Sequence, residues 1–195
     1  MTVSLAAIVD FAGLISIALW VVFRLLRLIA LRENALPVAF SLVLILMVAW
    51  PSNPAFAAAV AVLAPFGVLL PALALRSIAR SLGVRIKPFH WAELLGFAGL
   101  YGAFLAASGG VIPLDVYAFG YTPVGAAGVA LAFCLWGLIR NSLFLPVAAL
   151  ISTVIWVFDL GSSNAFDNLT HVALLPLAII ALPGAILRAI SQPQS

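Results

Sequence analysis

Few residues in this chain could carry out chemistry. The acidic groups are Asp10, Glu33, Glu93, Asp115, Asp159 and Asp167, and the imidazoles are His90 and His171. The stretch FDLGSSNAFDNLTHVAL, 158–174, gathers two of the four aspartates and one of the two histidines, with Ser162, Ser163, Asn164, Asn168 and Thr170 among them. Asp167 and His171 are four residues apart, a spacing that places two side chains on one helix face. Such a pair would hold a cation, keep an imidazole charged or pass a proton. Asp10 and Asp115, from other segments, and Asp159 would approach it. The candidate ligand-binding set is therefore Asp10, Asp115, Asp159, Asp167 and His171. The same residues also describe a helix start at a water boundary. Ser162, Ser163 or Asn164 would be the N-cap, and with Asn164 in that role Asp167 falls at N3, near the positive end of the helix dipole.

Several chemistries are disfavoured by what is missing. Zinc takes three or four protein ligands, and one histidine among scattered carboxylates is a poor set. His90 and His171 fall at opposite ends of the predicted bundle and could not share a haem iron. One cysteine, Cys134, and two methionines are too little sulfur for copper or an iron–sulfur cluster. The last segments hold no lysine for a Schiff base, and no Gly-rich phosphate loop stands outside the apolar runs. The expectation is a protein that is not an enzyme, with no catalytic residue, metal or cofactor.

The elements that must position these residues are apolar. The chain of 195 residues is 66% hydrophobic and 8% charged, with a mean hydropathy of +1.27, which leaves too little polar surface for a water-soluble domain. A bilayer crossing takes about 20 residues, so seven crossings use roughly 140 and leave only short connections. The fold class is an all-α integral membrane protein of about seven transmembrane helices, one domain over 1–195. The predicted spans are 4–23, 35–50, 55–75, 90–107, 122–139, 143–159 and 167–187. The first reads as a retained helix, because its first arginine comes only at position 24 and Asp10 interrupts the run. Between the spans lie the turn PSNP (51–54), the basic loop 76–90, a Gly/Pro/aromatic loop 108–122, the hairpin RNS (140–142) and the polar stretch 159–168.

Charge sets the orientation. Seven crossings place Arg24, Arg27, Arg32, Arg76, Arg80, Arg85, Lys87, Arg140 and Arg188 on one side, and Asp115, Asp159 and Asp167 on the other with Asp10 near them. Basic residues mark the cytoplasmic face, so the N-terminus is expected outside and the C-terminus inside a bacterial inner membrane. Arg24, Arg27, Arg76, Arg80, Arg85 and Lys87 read as lipid anchors, each attracted to anionic headgroups by about 1 kcal/mol. The partners expected are membrane lipids and another membrane protein or a second copy, not nucleic acid. Glu93, one turn after Lys87–His90, is expected to pair or snorkel at the inner surface. Trp50, Trp91, Tyr117 and Tyr121 fit aromatic belts.

An internal duplication is legible in the landmarks. Pro37, SNPAF (52–56), Pro65, Pro71 and Arg76 are followed by Pro146, SSNAF (162–166), Pro176, Pro183 and Arg188, at offsets growing from 109 to 112. This predicts a 3-1-3 arrangement of parallel repeats, 4–78 and 122–190, joined by helix 90–107. The layout is similar to that of SWEET-type sugar facilitators, although the Pro-Gln pair of their PQ-loop relatives occurs here only at 193–194. YGAFLAASGGVIPLDVYAFGY (101–121) followed by SSNAFDNLTHVALLPLAIIAL (162–182) resembles a loosely defined group of small, uncharacterised bacterial inner-membrane proteins. The resemblance covers the C-terminal half, departs where His171-Val172 replace an Asp-Pro pair, and implies no activity. Two functions remain open. One is a non-enzymatic subunit or assembly factor of a larger membrane complex, since no charge sits at the centre of a span. The other is a small-solute facilitator with a polar vestibule on its outer side.

Overall fold

A computed structural model describes residues 5–29, 33–49, 58 and 63–191. Arg32, Trp50 and the turn 51–54 lie outside the described residues. The elements are α1 (Leu5–Leu28), α2 (Ala35–Ala49), α3 (Leu69–Ser81), α4 (Trp91–Ser108), a 3-10 turn (Tyr117–Tyr121), α5 (Pro123–Ile139), α6 (Phe144–Val157), α7 (Ala165–Leu169) and α8 (Leu174–Ser191). Among the described residues there is no strand. Residues 8–28 of α1, α4 and α8 are each long and apolar enough to cross a bilayer. Three shorter helices, Ala35–Val48, Pro123–Ile139 and Phe144–Val157, are apolar as well. These helices are compatible with a place in a membrane. Leu28, Val48, Leu100, Leu138 and Ile180 are all exposed, a surface that water would penalise and acyl chains would not.

Local sequence explains where the helices begin. Thr122 caps α5, its hydroxyl accepting from Gly125 N–H at 3.1 Å, with Pro123 in the first turn where its missing N–H costs nothing. His90 caps α4: its Nδ1 accepts from Ala92 N–H at 3.3 Å, and the Glu93 carboxylate takes the His90 N–H in return. Helices pack as α1 along α2 and α3, α4 along α8, and α5 along α6. Ala35 and Ala39 are fully buried between Phe23, Leu26 and Ile78, where small side chains let the helix backbones close up. A second core joins α3, α4, α6 and α8 through Leu69, Leu70, Tyr101, Ala148 and Leu174.

Two predicted spans are corrected. Residues 55–75 do not form one helix to 75. Ala64, Pro65 and Phe66 have no regular structure, the Ala64–Pro65 bond is cis, and Gly67 sits at φ +59°. The helix restarts at Leu69 and runs on to Ser81, so Arg76 and Arg80 are helical rather than part of a basic loop. Pro65 has no N–H to donate and Gly67 takes a left-handed conformation, and together they end the upstream turn. Likewise 167–187 is not continuous. The short α7 ends at Leu169, Thr170 is extended, and α8 starts at Leu174.

The two breaks pack against each other. Val68 N–H donates to Asn168 C=O at 2.8 Å, and the Leu63 carbonyl meets His171 Nε2 at 2.9 Å. A Cβ on Gly67 would lie 2.6 Å from the Thr170 carbonyl oxygen, so no larger residue fits there. Backbone groups freed by the interruptions are thus met by protein, as an apolar surrounding requires.

Candidate functional site

The polar stretch folds into an interlocked end of the bundle. Asn164 is the N-cap of α7, its Oδ1 accepting from Phe166 N–H at 2.9 Å while its Nδ2 donates to Tyr117 C=O at 3.0 Å. Asn168 holds the preceding loop from both sides. Its Oδ1 accepts from Ser162 N–H at 2.7 Å, and its Nδ2 donates to Ser162 C=O at 2.6 Å. Both asparagines are buried. The approach is close enough to require glycine: a Cβ at Gly120 would fall 2.0 Å from Asn164 Oδ1, and one at Gly161 would fall 2.4 Å from Asn168 Oδ1.

Asp167 stands at N3 of α7. Its Oδ2 accepts from Tyr117 O–H at 2.6 Å and from Ser162 O–H at 3.1 Å. Burial, the hydrogen bond it donates to Asp167 and the negative charge there hold the Tyr117 hydroxyl well above the ordinary tyrosine range. Tyr117 also packs edge-on against Tyr121, with centroids 5.8 Å apart. Asp115 is exposed and accepts from Ala118 N–H at 3.1 Å, which starts the 3-10 turn. Asp159 is exposed, at φ +54° in the turn after α6.

Asp167 and His171 do not form the pair their spacing predicts. The helix ends between them, so the i, i+4 geometry is never made. His171 Nδ1 accepts from Ala173 N–H at 3.1 Å. A backbone N–H can only donate, so Nδ1 carries no proton and Nε2–H donates to Leu63 C=O. Both ring nitrogens are engaged: Nδ1 within its own turn, and Nε2 across to the other broken span. The ring also stacks on Phe66, at 6.0 Å between centroids and 17° between planes. Asp10 lies on α1 and accepts a hydrogen bond from the Phe66 backbone. Phe66 thus stands between Asp10 and His171, and the two are linked through it rather than to each other.

Four of the five predicted residues are therefore each tied to a different backbone or hydroxyl group of this chain: Asp10, Asp115, Asp167 and His171. Among the described residues no three His, Cys, Asp or Glu side chains gather as a metal site would require. What the arrangement does is fasten the loop 110–122, α7 and the two helix breaks to one another.

The basic end holds a second cluster that the spacing of residues does not disclose. Arg140 grips Glu93 with two hydrogen bonds, Nε to Oε1 at 2.8 Å and Nη2 to Oε2 at 3.1 Å. It is the sole ion pair among the described residues; Glu93 is expected to pair or snorkel, and its partners are Arg140 and the His90 N–H. Arg76 lies between two rings, its guanidinium carbon 4.4 Å from the Phe89 centroid and 4.6 Å from that of Phe144. Its Nη2 donates to Lys87 C=O. Of the other predicted anchors, Arg24, Arg80, Arg85 and Lys87 are exposed. Arg27 lies 5.7 Å from the Phe23 ring and donates to Ser81 C=O at 3.4 Å. Compared with family models, curated proteins and solved structures, the chain matches none.

Proposed function

We propose that this is a non-enzymatic multi-pass protein of a bacterial inner membrane, acting as a subunit or assembly factor of a larger membrane complex. One observation carries the reading. The side chains of Ser162, Asn164, Asp167, Asn168, Thr170 and His171 are spent on the chain's own backbone and hydroxyls, while large apolar surfaces on α1, α2, α5 and α8 remain uncovered. The layout that goes with it has seven crossings, the N-terminus outside and the C-terminus inside, with 4–78 and 122–190 as parallel repeats around α4. The charge distribution supports the orientation, and the landmarks from Pro37 to Arg76 repeated from Pro146 to Arg188 support the duplication.

Purification of a tagged chain from its native membrane in mild detergent tests the function. A second membrane protein eluting in fixed proportion is the expected result, and a lone chain at every detergent strength would overturn it. Reporters active only outside the membrane test the layout. They are expected to be active after Asn53, Asp115 or Asn164, and silent after Arg32, Arg85 or the C-terminus.

One observation favours the facilitator reading as a second choice. Two interrupted helices meet beside a carboxylate, Asp10, as discontinuous helices do at the binding sites of many transporters. Flux of small neutral solutes into vesicles carrying the purified chain, abolished by Asp10→Asn, would establish that reading over the first.

A further inference from the structure

Beyond any role as a subunit, we infer that the chain holds one anionic phospholipid in a built site, with an acyl chain between α4, α5 and α8 and the phosphate at Arg76 and Lys87. A groove of about 500 Å³ runs between these helices, walled by Phe97, Leu100, Phe133, Trp136, Leu177 and Ala181. Its lining is almost wholly apolar. At the basic end it meets a smaller recess that contains Arg76, Lys87 and Arg140, and the two share Phe89, Glu93, Trp136 and Leu145. The combined shape is that of an amphiphile, with a long apolar compartment and a short cationic mouth.

Charge argues for an anionic head. Three cations border the recess, and the one carboxylate there, Glu93, is already taken by Arg140. Arg76 and Lys87 form no ion pair among the described residues; Glu93, the one carboxylate within charge range of Arg76, leaves the recess with a surplus of positive charge. Arg76 is also preorganised. Phe89 and Phe144 fix the plane of its guanidinium, and only Nη2 is committed, to Lys87 C=O. The remaining N–H groups suit a phosphate, which guanidinium recognises through paired donors. General attraction of basic residues to a lipid surface needs no such clamp.

Shape suits a slender apolar tail. Glu93 to Leu100, the length of α4 along the groove, spans about 10 Å at 1.5 Å per residue, and apolar side chains of α4, α5 and α8 wall it. The groove's volume falls within the range of small-molecule pockets, about 300–1,000 Å³.

The groove also offers a clean perturbation. A Cβ at Gly96, which lines it, meets nothing within 4 Å, so a side chain can start there unhindered and Gly96→Phe is directed to take up groove space. Ala181→Phe fills it from α8, at an exposed position. The experiment takes the full chain, stripped of lipid in detergent, and adds phosphatidylglycerol or phosphatidylcholine while intact complexes are weighed by native mass spectrometry. One phosphatidylglycerol per chain is expected, bound at least tenfold more tightly than phosphatidylcholine. Lys87→Gln and Arg76→Gln should each weaken phosphatidylglycerol at least tenfold and weaken phosphatidylcholine, whose choline already balances its phosphate, by a smaller factor. Gly96→Phe and Ala181→Phe should weaken both lipids, with circular dichroism and the melting temperature confirming a folded chain. Three results would overturn the proposal. Equal binding of the two lipids would remove the head site. Unchanged binding by both phenylalanine variants would leave only surface attraction. Loss of a co-purifying membrane protein in those variants, with lipid binding intact, would make the groove a seat for a partner helix.

Discussion

Tyr117→Phe removes one oxygen from the interlocked end and little else. The hydroxyl donates to Asp167 Oδ2 at 2.6 Å across 50 residues of sequence, while the ring keeps its contacts with Phe104 and Tyr121. A hydrogen bond to an ionised group contributes about 1.5–3 kcal/mol net. Here Asp167 is only half-buried and keeps the Ser162 hydroxyl at 3.1 Å, so the lower end applies, about 1.5 kcal/mol. Asp167→Asn should cost a similar amount, because the amide still accepts from Ser162 but has lost the charge that strengthens the Tyr117 bond. The double variant should cost less than the sum, with a coupling of about 1 kcal/mol in a double-mutant cycle. The assay is reversible unfolding in mixed detergent micelles, followed by tryptophan fluorescence. A coupling below about 0.5 kcal/mol, the scatter expected of independent sites, would refute the claim that this contact fastens the loop 110–122 to α7. A loss of co-purifying partner by either variant, with stability unchanged, would refute the structural role itself.

The raised Tyr117 pKa has a signed consequence. A proton held more tightly in the folded state stabilises fully below the free tyrosine value of about 10 and is lost as pH rises through the folded value. Alkaline unfolding should therefore begin above pH about 10 and lose that component in Tyr117→Phe, as read by tyrosinate absorbance against helicity. Gly120→Ala drives a methyl into the Asn164 side chain, 2.0 Å from Oδ1 before any relaxation; a loss of about 1–3 kcal/mol from overpacking is expected in the same unfolding assay. Arg140→Gln strands Glu93, whose side chain is 12% exposed, and should cost about 2–3 kcal/mol, with the added Glu93→Gln recovering part of it.

How much of this was legible in the sequence depends on the range of each contact. The N-cap at Asn164 and the place of Asp167 at N3 follow from five adjacent residues, and the structure has them as read. Long apolar helices compatible with a membrane follow from composition alone. The breaks at 64–68 and 170–173 were not legible as breaks. Within uniformly apolar segments hydrophobic periodicity carries no signal, and Pro65 and Gly67 read equally well as tolerated inside a span. The basic loop expected over 76–90 gives way at its start to helix, where Arg76 and Arg80 sit, since a long side chain can reach a polar boundary from within a helix. Tyr117–Asp167, Glu93–Arg140 and Arg76–Phe144 join residues 47 to 68 positions apart. No local pattern reports such pairs, and the spacing of Asp167 and His171 suggested a pairing that the end of α7 prevents.

The contact between the two helix breaks also constrains the order of synthesis. Leu63 C=O waits for His171, which is 108 residues later, and Val68 N–H waits for Asn168. At about 5–20 residues per second on the ribosome, those backbone groups go unmatched for roughly 5–20 s after they are made. Acyl chains cannot supply a donor or an acceptor in that interval. If these helices cross a bilayer, the interrupted segment 63–68 reaches its final hydrogen bonds only after nearly the whole chain has followed. A fragment ending before position 168 would then have to close that break in another way before it could settle in lipid.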